Sequence, residues 1–220
     1  MKQNDLESLL NNLPETPNVM AKENFANTAV LVPLICIDGE MHLLFQKRSE
    51  SIRQGSEVCF PGGLFDPQTD KDYEDTAIRE TIEELGIDRN HIKILGRLDT
   101  LVSVLGVTVD PFLSMIQADA LSSLKPNPSE VAKVFTLPVS VFCEDNLEIY
   151  SVRLMAQSSY IDKKGKEFLL LPSEELGLPE IYHNDWGGMH HRVLVYKTEQ
   201  GVLWGITAEI IHDMVSKIKI

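Results

Sequence analysis

Cysteine is scarce in this chain. Cys36, Cys59 and Cys143 are odd in number, widely spaced and never arranged as C-x-x-C. That excludes a disulfide framework and a zinc-ligand spacing, and it fits a reducing, cytoplasmic setting. Hydrophobic runs are short, and none approaches the ~20 residues that span a bilayer. The opening MKQNDLESLL is polar and acidic, without the apolar core of a signal peptide. Positive charge is also in short supply: 20 Lys and Arg face 33 Asp and Glu, for a formal net charge of −13. Neither nucleic acid nor an anionic membrane finds the basic footprint it needs on such a chain. A small phosphorylated ligand is not excluded, because a few local cations or a metal ion suffice for it. Internal repeats and low-complexity tracts are missing too.

What is present suits one large domain. A chain of 220 residues, 43% hydrophobic and 24% charged, has the material for a substantial core. NDLESLLNNLPE reads as a short amphipathic helix, capped by Asn4 or Asp5 and stopped by Pro14. Two strands, 28–36 and 41–48, flank the tight turn DGE. A polar loop follows, and then a helix from about Glu74 to Leu85 that Gly86 stops. HIKILGRLDTLVSV and VTVDPFLSMIQA supply strands, NPSEVAKVFTLP a short helix leading into an extended segment. More strand-like pieces, broken by DKKGKE, run from Leu147 to Leu171. HHRVLVYKTEQGVLWGI reads as a hairpin, and TAEIIHDMVSKI closes the chain as an amphipathic helix. Strands interleaved with a few helices predict one mixed-sheet α+β domain, an α/β/α sandwich. Residues 1–27 form the N-terminal helix and lead-in, and 28–220 the domain.

The stretch CFPGGLFDPQTDKDYEDTAIRETIEELGI carries the chemistry. Ile78, Ile82 and Leu85 recur at i, i+4 and i+7 and define a buried stripe, which projects Glu80, Glu83 and Glu84 to the other side. Three carboxylates so close either face solvent or face something positive, since like charges at these spacings repel. Asp75 and Glu83 each lie four residues from Arg79, which opens an ion-pair reading for the arginine. The Pro-Gly-Gly turn ahead of the helix allows close backbone approach, and carboxylates at i, i+3 and i+4 can converge on a hard divalent cation. Mg²⁺ or Mn²⁺ is the expected partner, with Arg79 holding the carboxylates or the preceding loop in place.

These residues resemble the Nudix box of the Nudix hydrolases, G-x5-E-x7-R-E-U-x-E-E-x-G-U, where U is a bulky aliphatic residue. Gly63, Arg79, Glu80, Glu83, Glu84, Gly86 and Ile87 fall on its defining positions. The span from Gly63 to Arg79 is two residues longer than the pattern, Lys71 stands at the early glutamate position, and Thr81 replaces an aliphatic residue. Asp72 and Glu74 are the acids nearest at hand to replace that glutamate. Upstream, LFQKRSESIRQGSEVCFPGG is similar to the segment that marks coenzyme A pyrophosphatases, through Leu44, Arg48, Ser49, Arg53, Phe60, Pro61, Gly62 and Gly63. Phe45 and Gln46 depart from it, and the Arg53-to-Phe60 gap is one residue short. The likeness runs over roughly residues 28–218.

The resemblance implies a Nudix fold and metal-dependent cleavage of coenzyme A or its thioesters to 3′,5′-ADP and 4′-phosphopantetheine or its acyl form. It implies Glu80 and Glu84 as principal metal ligands, Glu83 as a further ligand with a catalytic role, and Arg79 as their orienting partner. Gly62 and Gly63 line the substrate, and Arg48 and Arg53 grip phosphate oxygens in fork geometry, helped by Lys47; without the resemblance these three are a solvent-exposed basic strand end. Glu130 is an additional ligand or the general base, set against a plain capping-box role with Asn127 and Pro128. His190 and His191, neighbours in a strand, point to opposite faces and share no ion. Trp186 and Tyr182 either stack on adenine or pack their own loop, and Cys59 is a buried structural thiol. Rival functions are hydrolysis of ADP-ribose, NADH or another nucleoside diphosphate derivative, and a non-catalytic nucleotide sensor, the reading that Lys71 favours. A homodimer is compatible with all of them.

Overall fold

The computed structural model describes residues 3–16 and 18–218; residues 1, 2, 17, 219 and 220 of the expected segments lie outside it. Helix α1 spans Gln3–Asn11. Asn4 and Asp5, the expected caps, fall within its first turn, and its Leu6, Leu9 and Leu10 are exposed. Strand β1, Ala26–Ile37, turns back into β2, Glu40–Arg48, with Ile37 opposite Glu40. The loop is only Asp38-Gly39, both left-handed at φ 50° and 86°, which matches the twist of the flanking strands. Then come β3, Val58–Cys59, β4, Gly62–Leu64, and helix α2, Tyr73–Leu85. The remaining elements are β5, Ile92–Arg97; β6, Leu101–Ser103; β7, Val107–Ile116; β8, Val131–Pro138; β9, Leu147–Ala156; β10, Ser159–Ile161; β11, Glu167–Leu169; β12, Trp186–Thr198; β13, Gly201–Trp204; and α3, Gly205–Ser216.

The central sheet runs β3-β2-β1-β7-β5, with β4 added on β1, β6 on β7 and β8 on β2. β1 pairs parallel with β7 and antiparallel with β2 and β4, so the sheet is mixed, as expected. A second sheet, β13-β12-β9, carries the expected hairpin, and β10-β11 form a small ribbon. Alternation along the strands feeds two cores. Leu43, Phe45 and Val32 pack with Ile210, Ile211 and Met214 of α3, whereas Leu44, Leu31 and Ala29 pack with Ile78 and Leu85 of α2. Covering both faces explains why β2 reads as the unbroken apolar run Leu43-Leu44-Phe45. Phe45 anchors the first core, its ring 4.9 Å from Phe60 and 5.8 Å from Phe142.

One expected element is absent. Instead of a helix at NPSEV, Asn127 closes a single turn, accepting the Glu130 and Val131 N–H groups on its carbonyl and the Ser129 hydroxyl on its side chain. Pairing of β8 with β2 then takes over from Val131. No helix among the described residues is long and apolar enough to cross a membrane.

Candidate active site

Helix α2 starts where Asp72 caps it, accepting the Asp75 N–H at 3.0 Å. It ends at Gly86, left-handed at φ 62°, where a Cβ would meet the Lys125 carbonyl oxygen at 2.4 Å. The buried side is wider than the expected stripe. Ala77, Thr81 and Glu84 form a second row beside Ile78 and Leu85, and Glu84 is only 4% exposed. Glu84 is therefore not on a solvated face with Glu80 and Glu83. Thr81, at an aliphatic position of the box, is accommodated because its hydroxyl donates to the Ala77 carbonyl at 2.6 Å.

Glu84 reaches into the glycine turn, where the Gly62 N–H donates to its Oε2 at 2.9 Å. That backbone can come so near only because Gly62 lacks a Cβ, which would lie 2.3 Å from the Ala29 carbonyl oxygen. Burial raises the Glu84 carboxyl to about 7, with the Glu80 charge adding to the rise and Gly62, Gln46 and Arg48 opposing it. Gln46, fully buried on β2, donates weakly to Cys59 Sγ at 3.8 Å and leaves its Oε1 without a partner. Burial pushes the Cys59 thiol up to about 11, as suits a structural cysteine.

Glu80 lies over the next glycine: a Cβ on Gly63 would fall 2.4 Å from its carboxyl carbon. Arg79 binds this acid and three further groups. Its Nη1 donates to Glu80 Oε1 at 2.9 Å and to Glu83 Oε2 at 3.3 Å, and its Nη2 donates to the Leu64 carbonyl. Its firmest partner is Asp70, which accepts from Nε at 2.6 Å and Nη2 at 3.0 Å in a two-pronged pair. Asp70 is buried, accepts the Thr76 hydroxyl at 2.8 Å, and is held well below the usual carboxylate range chiefly by Arg79.

Asp70 is the residue that sequence reasoning missed. It stands one place before Lys71, and the two-residue insertion hid it. Asp72 is used up as the helix cap, whereas Lys71 only lends its N–H to Asp75. With an acid locked to Arg79, the feature that favoured a sensor module loses its force.

The other expected residues fall out unevenly. Arg48 opposes the rise at both Glu84 and Cys59, so its charge borders the buried carboxylate, and its Nε donates to the Arg53 carbonyl at 3.3 Å. The Arg53 side chain is on an exposed loop, and Lys47 precedes Arg48 on β2 where the pairing with β8 shifts register. Glu130 cannot complete a capping box, because the Asn127 N–H it would need already donates to the Glu84 carbonyl at 2.8 Å. Its charge acts on Glu80, whose carboxyl is raised by burial first and by Glu83 and Glu130 beyond that. His190 and His191 are consecutive residues of β12, opposite Arg153 and Val152. Tyr182 and Trp186 pack edge to face on each other at 5.5 Å.

Among the described residues, no three acidic, histidine or cysteine side chains stand ready-made around a metal position. The reason is Arg79, which draws Glu80 and Glu83 to itself while Glu84 turns to the Gly62 N–H. The donor set still suits a hard dication. It consists of carboxylate oxygens under mutual repulsion, beside a buried Gln46 oxygen that lacks a partner.

Comparison with known proteins agrees with this geometry. The NUDIX domain family model matches residues 27–153, more than half of the chain. A Photorhabdus laumondii protein named "Uncharacterized Nudix hydrolase NudL" is 32% identical, over 94% of this chain and 92% of its own length. "Nudix hydrolase 3" of Caenorhabditis elegans is 30% identical, over 94% of this chain and 82% of its own. Among solved structures, a C. elegans Ap4A hydrolase aligns at TM-score 0.44 and 22% identity, covering 51% of this chain and 80% of that one. A MutT/nudix family protein from Enterococcus faecalis aligns at TM-score 0.46 and 15% identity, covering 98% of this chain and 69% of that one. Likenesses this distant say nothing about chemistry. The chain belongs to the Nudix family. It is a Nudix hydrolase, by the family model and by relatives that match over most of its length.

Proposed function

We propose that this enzyme hydrolyses the diphosphate of coenzyme A or its thioesters, with Mg²⁺ or Mn²⁺ held by Glu80, Glu83 and Glu84. The observation that carries the reading is the placement of Arg48. This residue belongs to the segment that resembles the coenzyme A pyrophosphatases, stands two places along β2 from the buried Gln46, and has a charge that opposes the rise at Glu84. Recognition and cleavage thus share one border, between β2 and α2.

The bound cation supplies charge withdrawal from the diphosphate and acidification of water. The protein groups do the rest. Arg48 and Arg53 bind diphosphate oxygens, and the bare backbone at Gly62 and Gly63 lets the substrate come close. Arg79 releases or retains Glu80 and Glu83 while Asp70 fixes its own orientation. Glu130, near Glu80 and free of a capping role, takes the proton from the attacking water or adds a further oxygen ligand. The water oxygen bonds to one phosphorus as the bridging P–O bond breaks, and the leaving phosphate carries away the electron pair. One water is consumed, and the products are 3′,5′-ADP and 4′-phosphopantetheine or its acyl form.

Incubation of purified protein with coenzyme A and Mg²⁺, followed by product identification, tests the reading. Those two products are expected. Cleavage of ADP-ribose or NADH far faster than coenzyme A would move the substrate assignment elsewhere, and no cleavage of any of them would favour a nucleotide-binding module.

A further inference from the structure

A cleft of about 540 Å³ lies between residues 55–57 and the outer face of β12 and β13, lined by Gly55, Ser56, Glu57, Val195, Val202 and Trp204. Its wall follows from strand register. Leu194, Tyr196 and Leu203 turn inward to the α3 core, so their neighbours Val195, Val202 and Trp204 turn outward, with Val195 directly opposite Trp204. Val202 and Trp204 are left 51% and 50% exposed. The cleft is open to solvent rather than enclosed, so an occupant would keep one side in water.

The facing loop is held in an unfavourable shape. Gln54 and Ser56 are both left-handed, at φ 57° and 67°, on either side of Gly55, whose Cβ would meet the Ser49 and Glu50 backbone at 2.8 Å. Such positions cost about 1 kcal/mol or more each, and they persist where the surroundings over-determine them. Here Arg48 does so: its N–H donates to the Glu57 carbonyl at 2.9 Å, and its carbonyl accepts the Ser56 N–H at 3.1 Å. Arg48, two places along β2 from the buried Gln46, thus has its backbone bonded to the rim of the cleft.

We propose that this cleft is the subsite for the acyl end of a coenzyme A thioester, and that the outer face of β12–β13 sets the preference for chain length. The inference rests on the coenzyme A reading above. The lining selects between the two ends of such a substrate. Its one charged residue is Glu57, and no Lys or Arg lines it, so the phosphate-bearing nucleotide end is repelled. A neutral saturated chain gains contact with Val195, Val202 and Trp204.

The test uses two readouts. In a Trp186→Phe background, Trp204 is the sole tryptophan of the chain, and titration with octanoyl-pantetheine, which lacks the nucleotide and the diphosphate, should change its emission saturably. In Trp204→Ala, the ratio of kcat/KM for octanoyl-CoA to that for coenzyme A should fall about tenfold, the scale of losing a pair of buried methylenes. An unchanged ratio, or unaltered Trp204 emission, overturns the proposal. A saturable emission change without any cleavage of coenzyme A leaves the subsite standing and removes the diphosphatase reading. Cleavage of coenzyme A without an emission change does the reverse. The fluorescence arm needs only folded protein, so poor folding of Trp204→Ala would not shield the idea.

Discussion

Gly62 and Gly63 are adjacent, yet each excludes a methyl group for a different reason. At Gly62 the obstacle is rigid: φ is 152° and the missing Cβ would strike the Ala29 carbonyl at 2.3 Å. Gly62→Ala should therefore cost more than about 2 kcal/mol, seen as a Tm lowered by several degrees. At Gly63 the obstacle is the movable end of Glu80. Gly63→Ala should fold with nearly unchanged Tm and lose about a hundredfold in kcat/KM, because an ångström of displacement at a reacting centre costs that much. Glu84 makes a third case. A carboxyl raised to about 7 binds its proton more tightly in the folded state, so it costs stability progressively as pH rises from the ordinary carboxylate range through about 7. At pH 8 without metal, Glu84→Gln should melt no lower than wild type while kcat falls about a thousandfold; calorimetry and a turnover assay check both halves. The sequence pattern marked Glu80, Glu83 and Glu84 as a set. It did not separate them by burial, because that depends on Gly62 and Ala29 lying beneath the helix, which periodicity does not encode.

At the scale of elements, α2 is fastened to its leading loop by the Asp70–Arg79 pair. Asp70→Asn removes the firmest partner of Arg79 while Glu80 and Glu83 remain, and should cost about 1.5–3 kcal/mol at pH 7, measured by urea unfolding. The sign of the pH effect follows from the depressed carboxyl. Stability from the pair is complete above the ordinary Asp range and is lost as pH falls below about 4. The variant should lack that acid-side loss. The helix itself was legible from its Gly86 stop and apolar stripe, though its Asp72 cap was not, and the β1–β2 hairpin from Asp38-Gly39. The acid partner of Arg79 was not, since counting back along the box lands on Lys71 once the loop has grown. The supposed helix at NPSEV failed for a tertiary reason: the strand register of β8 on β2, from Val131 onward, outweighed a local capping signal.

Across the whole molecule, the family match ends at residue 153, but the core does not. Leu194, Tyr196, Leu203, Ile210, Ile211 and Met214 complete the cluster around Phe45. A fragment of residues 1–153 should consequently fail to give a cooperative thermal transition by circular dichroism, despite retaining the full acidic box. The mixed, two-sided sheet was readable from strands interleaved with helices; its second sheet and the edge where β13 meets the 49–57 loop were not, because they depend on contacts far apart in sequence.

Strand β1 is flanked on one side by β7 along most of its length and on the other by β4 and then β2. Its amide protons are thus shielded by neighbours on both sides and by a helix layer above and below. In heavy water the Thr28–Val30 stretch, paired with β7 on one side and β4 on the other, should be among the last to take up deuterium. The glycine turn and acidic helix would then rest on ground that stays shut through any breathing of the surface, and ligands would come and go without loosening it.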